Sequence, residues 1–250
     1  MNDQKPSMTD NVGEPRVQPD AEEGFEVPAD EKESVDWLQD PPLGYRFIKR
    51  FVDIVASAFA LVLLLPVFLA VGMAIKLTSK GPILSRQTRL GRHGVPFEYL
   101  KFRTMFANYN AERHRSYVEQ LLSGKFGAVG EKPVFKIQHD PRISPVGRFL
   151  RRTSLDELPQ FWNVLRGDMT LVGPRPPVSY EWDCYESWHK QRLSATPGIT
   201  GLWQIEGRSI TGFDDMVKLD IEYIKHASLL VDLKILLKTP VAALRSDKAF

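Results

Sequence analysis

Hydrophobic and polar positions divide the chain into segments of different period. Residues 54–75 hold 22 positions without a charged side chain, close to the ~20 apolar residues that a bilayer-crossing helix needs. Pro66 lies near the middle of this run, where a proline removes a helical hydrogen bond and crowds the preceding turn. Both flanks are basic, with Arg46, Lys49 and Arg50 before and Lys76 and Lys80 after. Basic flanks favour the cytoplasmic side, so satisfying both requires a segment that enters and returns on one face. The same pattern allows a single kinked span or a buried core helix, since proline is tolerated within membrane helices. Asp53, at the entry of the run, is costly unless paired. Lys49 and Arg50 share its helical face, which predicts an interfacial salt bridge.

Beyond the apolar run the pattern shortens. Residues 83–84 and 97–102 read as strands of a hairpin around the Gly91–Gly94 turn. Residues 107–122 read as a polar helix, 124–132 as a loop and 134–137 as a short strand. A helical stretch covers 148–167 with a turn before Pro159. Residues 173–177, Gly-Pro-Arg-Pro-Pro, form a rigid loop, because prolines cannot continue a helix or a central strand. Residues 180–193 are predicted helical, 197–201 a loop and 213–224 an amphipathic helix. Residues 229–237 are apolar but carry Asp232 and Lys234, so they suit an interfacial helix better than a span. Helices dominate.

Charge changes the picture at the N-terminus. The 250 residues carry a formal charge of +2. Residues 1–40 hold three basic side chains against twelve acidic ones, a net of −9 that leaves +11 on the rest. Few large apolar residues lie in that segment, which predicts a disordered acidic tail over 1–40, then a basic-flanked membrane segment over 41–80 and a basic body over 81–250. The tail lacks the basic and apolar regions of a signal peptide. A basic body suits a polyanionic partner: a nucleotide, an anionic membrane or a nucleic acid. One cysteine, Cys184, excludes an internal disulfide framework, and five scattered histidines give no zinc spacing.

The sharpest candidate chemistry is Arg151-Arg152-Thr153-Ser154-Leu155-Asp156-Glu157-Leu158-Pro159-Gln160. Of two adjacent carboxylates, one can be a nucleophile while the other holds a divalent cation. The spacing alone favours a plainer reading, a Ser154–Glu157 capping box at a helix start. Arg175, between prolines, is a guanidinium ordered in advance for phosphate, although a stiff corner with an incidental arginine is the simpler account of those residues.

Together these residues resemble the bacterial sugar transferase family, monotopic phosphoglycosyl transferases that act on polyprenol phosphate. The resemblance is carried by Lys49-Arg50-x-x-Asp53, the apolar run with Pro66, Lys101-Phe102-Arg103-Thr104-Met105, Thr153 to Gln160, Gly173-Pro174-Arg175-Pro176, and Pro197-Gly198-x-Thr200-Gly201-Leu202-Trp203-Gln204. It implies a helix-rich α/β fold: a re-entrant membrane helix, a small cytosolic catalytic domain and interfacial amphipathic helices on the bacterial inner membrane. It implies Asp156 as nucleophile, Glu157 as ligand of Mg²⁺, and Arg151 and Arg175 as phosphate-binding residues. Lys49, Arg50, Asp53 and Pro66 would then lie at the membrane interface. The implied substrates are a UDP-sugar, with a hexose favoured, and undecaprenyl phosphate, with inner membrane lipids around them and no nucleic acid. Leu65 stands where some members carry serine before the proline, and the acidic tail takes the place of the N-terminal multi-span domain of larger members. A membrane-anchored assembly protein without catalysis, or an RNA-binding protein with a core helix, are the alternatives from other classes.

Overall fold

The computed structural model describes residues 25–106, 142–206 and 212–244. The predicted helix at 107–122, loop at 124–132 and strand at 134–137 lie outside these, as do residues 1–24. Helix α1 (Ala29–Glu33) is followed by α2 (Leu43–Leu63) and α3 (Leu65–Thr78). Strands β1 (Leu84–Leu90) and β2 (Pro96–Phe102) form the antiparallel hairpin that the pattern predicts. Then come α4 (Pro145–Arg152), a 3₁₀ turn at Leu155–Glu157, α5 (Gln160–Arg166) and β3 (Thr170–Val172). After the proline loop follow a 3₁₀ segment at Ser179–Cys184, α6 (Ser187–Lys190), a second 3₁₀ turn at Gln191–Ser194 and β4 (Gly198–Thr200). Helices α7 (Leu202–Glu206), α8 (Phe213–Lys225) and α9 (Leu229–Leu244) complete the described chain.

The apolar run is a bent pair. Helices α2 and α3 meet at 60°, and among the described residues no single helix is long and apolar enough to cross a membrane. The break falls at Leu64, where φ −89° and ψ 5° leave the helical region. Pro66 sits in the first turn of α3, where its missing N–H would have had no helical partner in any case.

Helix α2 inverts the usual amphipathic order. Its buried stripe, spaced four residues apart, is polar: Asp53 and Ser57 are buried and Tyr45 and Lys49 are half-buried. Phe47, Phe51, Val55, Phe59 and Val62 are exposed. The polar stripe is bonded to the body rather than to itself. Asp53 accepts from the Thr170 hydroxyl at 2.6 Å and from the Leu171 N–H at 3.0 Å. Lys49 pairs with Asp232 at 2.8 Å, and Arg50 donates to the carbonyls of Val164 and Leu165 at 2.6 and 2.8 Å. The predicted salt bridge within α2 therefore gives way to three separate anchors, because each group finds a better-placed partner across the interface. The last carbonyls of a helix run short of helical donors; here the guanidinium reaches the Leu165 carbonyl and adds a second donor to the Val164 carbonyl, which also accepts from the Gly167 N–H at 3.1 Å. Gly167, at φ 96°, ends α5, and a Cβ would lie 3.4 Å from the Arg50 guanidinium.

Helix α3 is held at its far end. Arg103 donates to the carbonyls of Lys80 and Ser79 at 2.8 and 2.9 Å and to the Ser79 hydroxyl at 2.8 Å. Val71 and Ile75 of α3 pack with Phe102 and Leu150. The main core gathers Tyr99, Val164, Met169, Leu171, Val172, Tyr223, Ile224 and Ile235.

Three expectations need correction. Residues 25–40 pack on the body: Val27 and Val35 join Leu90, Trp182 and Leu193 in a second core, Glu31 accepts from the Trp182 indole at 2.7 Å, and the Leu38 N–H donates to Ser194 at 2.9 Å. Two buried valines and a satisfied indole hold there what average composition predicts as disorder. Residues 180–193 are three short pieces, because Tyr185 turns extended and Glu186 and His189 cap a new helix reciprocally. The 197–201 loop contains β4, which pairs in parallel with β3.

The Asp53 anchor makes a stability prediction. Asp53→Ala strands a buried N–H and a buried hydroxyl, at about 1–3 kcal/mol for each unsatisfied group, so the thermal midpoint in detergent should fall clearly below wild type. Asp53→Asn keeps an acceptor and should fall less. Equal midpoints for Asp53→Ala and wild type would show that α2 docks without this anchor.

Candidate active site

Ser154 carries the local geometry of the Asp156 region. It lies in the left-handed region, at φ 55°, and ends the run of α4 by turning the chain into the 3₁₀ turn at Leu155–Glu157. Its side chain caps nothing; the Glu157 N–H donates instead to the Ser154 carbonyl at 3.3 Å. The capping box favoured by spacing is therefore not formed, since a residue with positive φ cannot place its hydroxyl over the following turn. Both Asp156 and Glu157 are half-buried. The Glu157 carboxylate accepts no hydrogen bond among the described residues.

Strand β2 backs this turn and α5. On α5, Gln160 and Asn163 are three residues apart and both point at the strand. Gln160 donates to the Tyr99 hydroxyl at 2.5 Å. Asn163 accepts from the Leu100 N–H at 3.0 Å and donates to the Glu98 carbonyl at 2.6 Å, completing the strand edge with a side-chain amide. Burial pushes the Tyr99 phenol upward, and the charges acting on it are those of Glu157, Arg89, Arg175 and Asp156. One buried ring thus feels the charges of both the carboxylate pair and the proline-loop arginine. Arg151 reaches the Thr104 hydroxyl through its Nε at 2.9 Å.

The Gly173–Pro177 loop is bonded at every step. Its prolines have no N–H to satisfy, so its placement depends on donors to its carbonyls. The Pro174 carbonyl accepts from the Gly198 N–H at 2.8 Å and the Pro177 carbonyl from the Leu90 N–H at 3.0 Å. Between them, the Arg175 carbonyl accepts from Arg192 at 3.1 Å and the Pro176 carbonyl from Arg89 at 2.8 Å. Gly198 is required here, since a Cβ would overlap the Gly173 nitrogen. From residue 171 to 179 every residue is buried except Arg175. Its guanidinium makes no hydrogen bond among the described residues.

Of the residues singled out from sequence, Asp156 and Glu157 lie on the turn that packs against the strand carrying Tyr99, Arg175 adjoins Pro176, whose carbonyl is held by the Arg89 guanidinium over the Tyr99 ring, and Arg151 lies on the same turn-bearing segment. Lys49, Arg50 and Asp53 sit elsewhere, as anchors of α2. Sequence reasoning missed Tyr99, Gln160, Arg89, Arg192 and Asp220. Arg192 is 1% exposed and pairs with buried Asp220 at 2.5 Å; nothing in a basic stretch distinguishes such an arginine from a surface one. A dyad of Asp156 and Glu157 beside an exposed arginine suits an anionic, phosphate-bearing ligand. Among the described residues no cluster of three or more acidic, histidine or cysteine side chains could enclose a metal ion. Mg²⁺ commonly takes one or two carboxylates and completes its shell with phosphates and water, and an unpaired Glu157 beside Asp156 fits that pattern.

The sequence model described as bacterial sugar transferase matches residues 44–246. The galactosyl transferase CpsE of Streptococcus agalactiae is 40% identical over 233 residues, 92% of this chain and 48% of that protein. The undecaprenyl-phosphate galactose phosphotransferase of Salmonella typhimurium is 44% identical over 207 residues, 82% of this chain and 42% of that protein. The chain thus spans less than half the length of these two relatives. The exopolysaccharide production protein ExoY of Rhizobium meliloti is 40% identical over 192 residues, 76% of this chain and 83% of that protein. With its motifs in order along the matched span and a relative covered over most of its length, the chain belongs to the bacterial sugar transferase family.

Proposed function

We propose that the protein transfers a hexose 1-phosphate from a UDP-sugar to undecaprenyl phosphate and releases UMP, at the cytosolic face of the bacterial inner membrane, as an early step of exopolysaccharide synthesis. The observation that carries this reading is that the turn bearing Asp156 and Glu157 packs on the Tyr99 strand, while Arg89, stacked over Tyr99, holds the loop carbonyl next to Arg175. Relatives named as undecaprenyl-phosphate galactose phosphotransferase and UDP-glucose:undecaprenyl-phosphate glucose-1-phosphate transferase support the substrate classes.

In this mechanism an Asp156 carboxylate oxygen attacks the sugar-bearing phosphorus. The bond to the bridging oxygen breaks, and UMP leaves with its electron pair. A phosphate oxygen of the lipid then attacks the same phosphorus and displaces Asp156, giving the lipid diphosphate sugar and the free carboxylate. Dividing the transfer lets one site serve a soluble nucleotide and a membrane-held acceptor in turn. The attack of an anion on a diphosphate meets like-charge repulsion, and Arg175 and Arg151 supply opposing charge already in place. Glu157 would hold Mg²⁺ against the diphosphate, and the chemistry it supplies when bound is further neutralisation of that charge.

The inverted face of α2 supports a non-aqueous neighbour. A stripe of exposed Phe47, Phe51, Val55, Phe59 and Val62, continued by apolar α3, is costly in water. With the 60° bend at Leu64 and basic residues at both ends, the pair enters and leaves the bilayer on one side. Cysteines placed near Arg46 and Lys80 should both resist a membrane-impermeant thiol reagent in intact cells. Labelling of one alone from outside would establish a span.

The chemistry has two tests. Wild-type protein incubated with UDP-glucose or UDP-galactose, Mg²⁺ and no lipid should gain the mass of one sugar phosphate on the peptide containing Asp156. Asp156→Asn should carry no adduct and release no UMP when undecaprenyl phosphate is added; normal turnover by this variant would end the assignment. Arg175→Lys keeps the charge and loses the planar fork. A charge-assisted hydrogen bond contributes about 1.5–3 kcal/mol, so kcat/KM should fall by roughly ten- to a hundredfold with the thermal midpoint unchanged. Wild-type kcat/KM would make Arg175 a bystander.

A further inference from the structure

The proline loop uses two kinds of donor. Pro174 and Pro177 are held by main-chain N–H groups, whereas Arg175 and Pro176 are held by guanidiniums. A neutral donor suffices to satisfy a carbonyl, so two buried charges at the centre of the loop need a reason. Arg192 has one locally, since Asp220 neutralises it at 2.5 Å and the Tyr185 hydroxyl accepts a further bond at 3.1 Å. Arg89 does not. It is 8% exposed and forms no ion pair among the described residues. Its Nη1 is used on Pro176, its Nε and Nη2 on the side chain of Gln87 at 3.1 and 2.9 Å, and its plane lies 5.0 Å from the centroid of Tyr99. Burial and the neighbouring Arg175 both act against its charge, in that order.

Each nitrogen of the Arg89 guanidinium thus donates to a fixed protein group, and its one main-chain partner adjoins Arg175. A guanidinium tied at all three nitrogens is fixed in orientation. It can fix the direction in which Arg175 leaves the loop, because Pro176 locks φ on one side and Arg192 holds the Arg175 carbonyl on the other. The same guanidinium lies against the ring on which Asp156 and Glu157 act.

We infer that Arg89 is a positioning residue for diphosphate recognition: by clamping the Pro176 carbonyl between Gln87 and Tyr99 it aims the Arg175 guanidinium at the diphosphate of the nucleotide. The inference rests on the proposed function for the identity of that ligand. It assigns to a residue of β1, distant in sequence from both the carboxylate pair and the proline loop, the geometry of the arginine that meets the substrate.

The test is a double-mutant cycle read by binding. UDP is titrated calorimetrically, with Mg²⁺ present, into detergent-solubilised full chain carrying no change, Arg89→Lys, Arg175→Lys or both. Lysine keeps the charge at position 89 and loses the fork that joins Pro176 to Gln87. Arg175→Lys should weaken UDP by about tenfold, and Arg89→Lys by roughly five- to tenfold. If Arg89 acts through Arg175, the double variant should bind no more than about twofold more weakly than Arg175→Lys alone. Multiplied losses in the double variant, or unchanged affinity in Arg89→Lys, would overturn the inference, since a residue that merely supports the fold has no cause to lose its effect with Arg175. Should Arg89→Lys not fold, Gln87→Leu frees two donors of Arg89 from a half-buried site. It should weaken UDP severalfold in the wild-type background and not with Arg175→Lys; no change in either would overturn the inference equally. UMP release from UDP-glucose and UDP-galactose, with undecaprenyl phosphate and Mg²⁺, is measured on the same protein preparations. A wild type that binds UDP with this pattern but releases no UMP would sink the proposed reaction and leave the role of Arg89 standing.

Discussion

The structure depends on a helix that turns its polar side inward. An amphipathic helix in water buries its apolar stripe and solvates its polar one. Helix α2 does the reverse, so its attachment to the body cannot come mainly from apolar burial. It comes from Asp53, Lys49 and Arg50, each bonded to a different part of the body. Buried polar contacts of this kind contribute modestly when made and cost much when broken. They therefore specify one docking register more strongly than they add stability.

That register reaches the candidate site by short covalent paths. Asp53 holds Thr170 and Leu171, which open β3, and β3 leads directly into the loop that carries Arg175. Arg50 ends α5, whose first residue, Gln160, bonds Tyr99. Arg103 caps α3, and its neighbour Thr104 receives Arg151. Each limb of the bent pair is therefore tied, within a few residues, to a residue of the candidate site. The positions of Arg151, of Arg175 and of the apolar helices are set by one network.

Much of this was legible in the sequence where the signal is local. The hairpin of β1 and β2, the break at Pro66, the rigidity of the proline loop and helix α8 follow from turn residues, prolines and period. The neighbourhood of the Asp156–Glu157 turn and the Arg175 loop does not, because it depends on packing of that turn against β2 and on the pairing of β3 with β4, and three-residue strands carry no readable alternation. The Ser154–Glu157 spacing misled because a capping box presumes extended backbone at its first residue, and Ser154 is left-handed. The pairing of Asp53 with Lys49 and Arg50 failed for a related reason: helical proximity states who can meet, while tertiary partners decide who does. Arg89 and Arg192 read as two more charges in a basic chain until their burial is seen.

The packing of residues 25–40 separates two boundaries that are often taken as one. The span matched by the family model begins at residue 44. The span that closes the core begins earlier, since Val27 and Val35 cover Leu90, Trp182 and Leu193 and Asp40 joins Arg46 to Arg92. A chain trimmed to the matched span would keep every motif yet leave a large indole and two leucines open to solvent. Solubility, expression yield and proteolytic resistance would then decline with no loss of catalytic groups. The family model marks where the motifs lie; packing marks the unit that has to be produced.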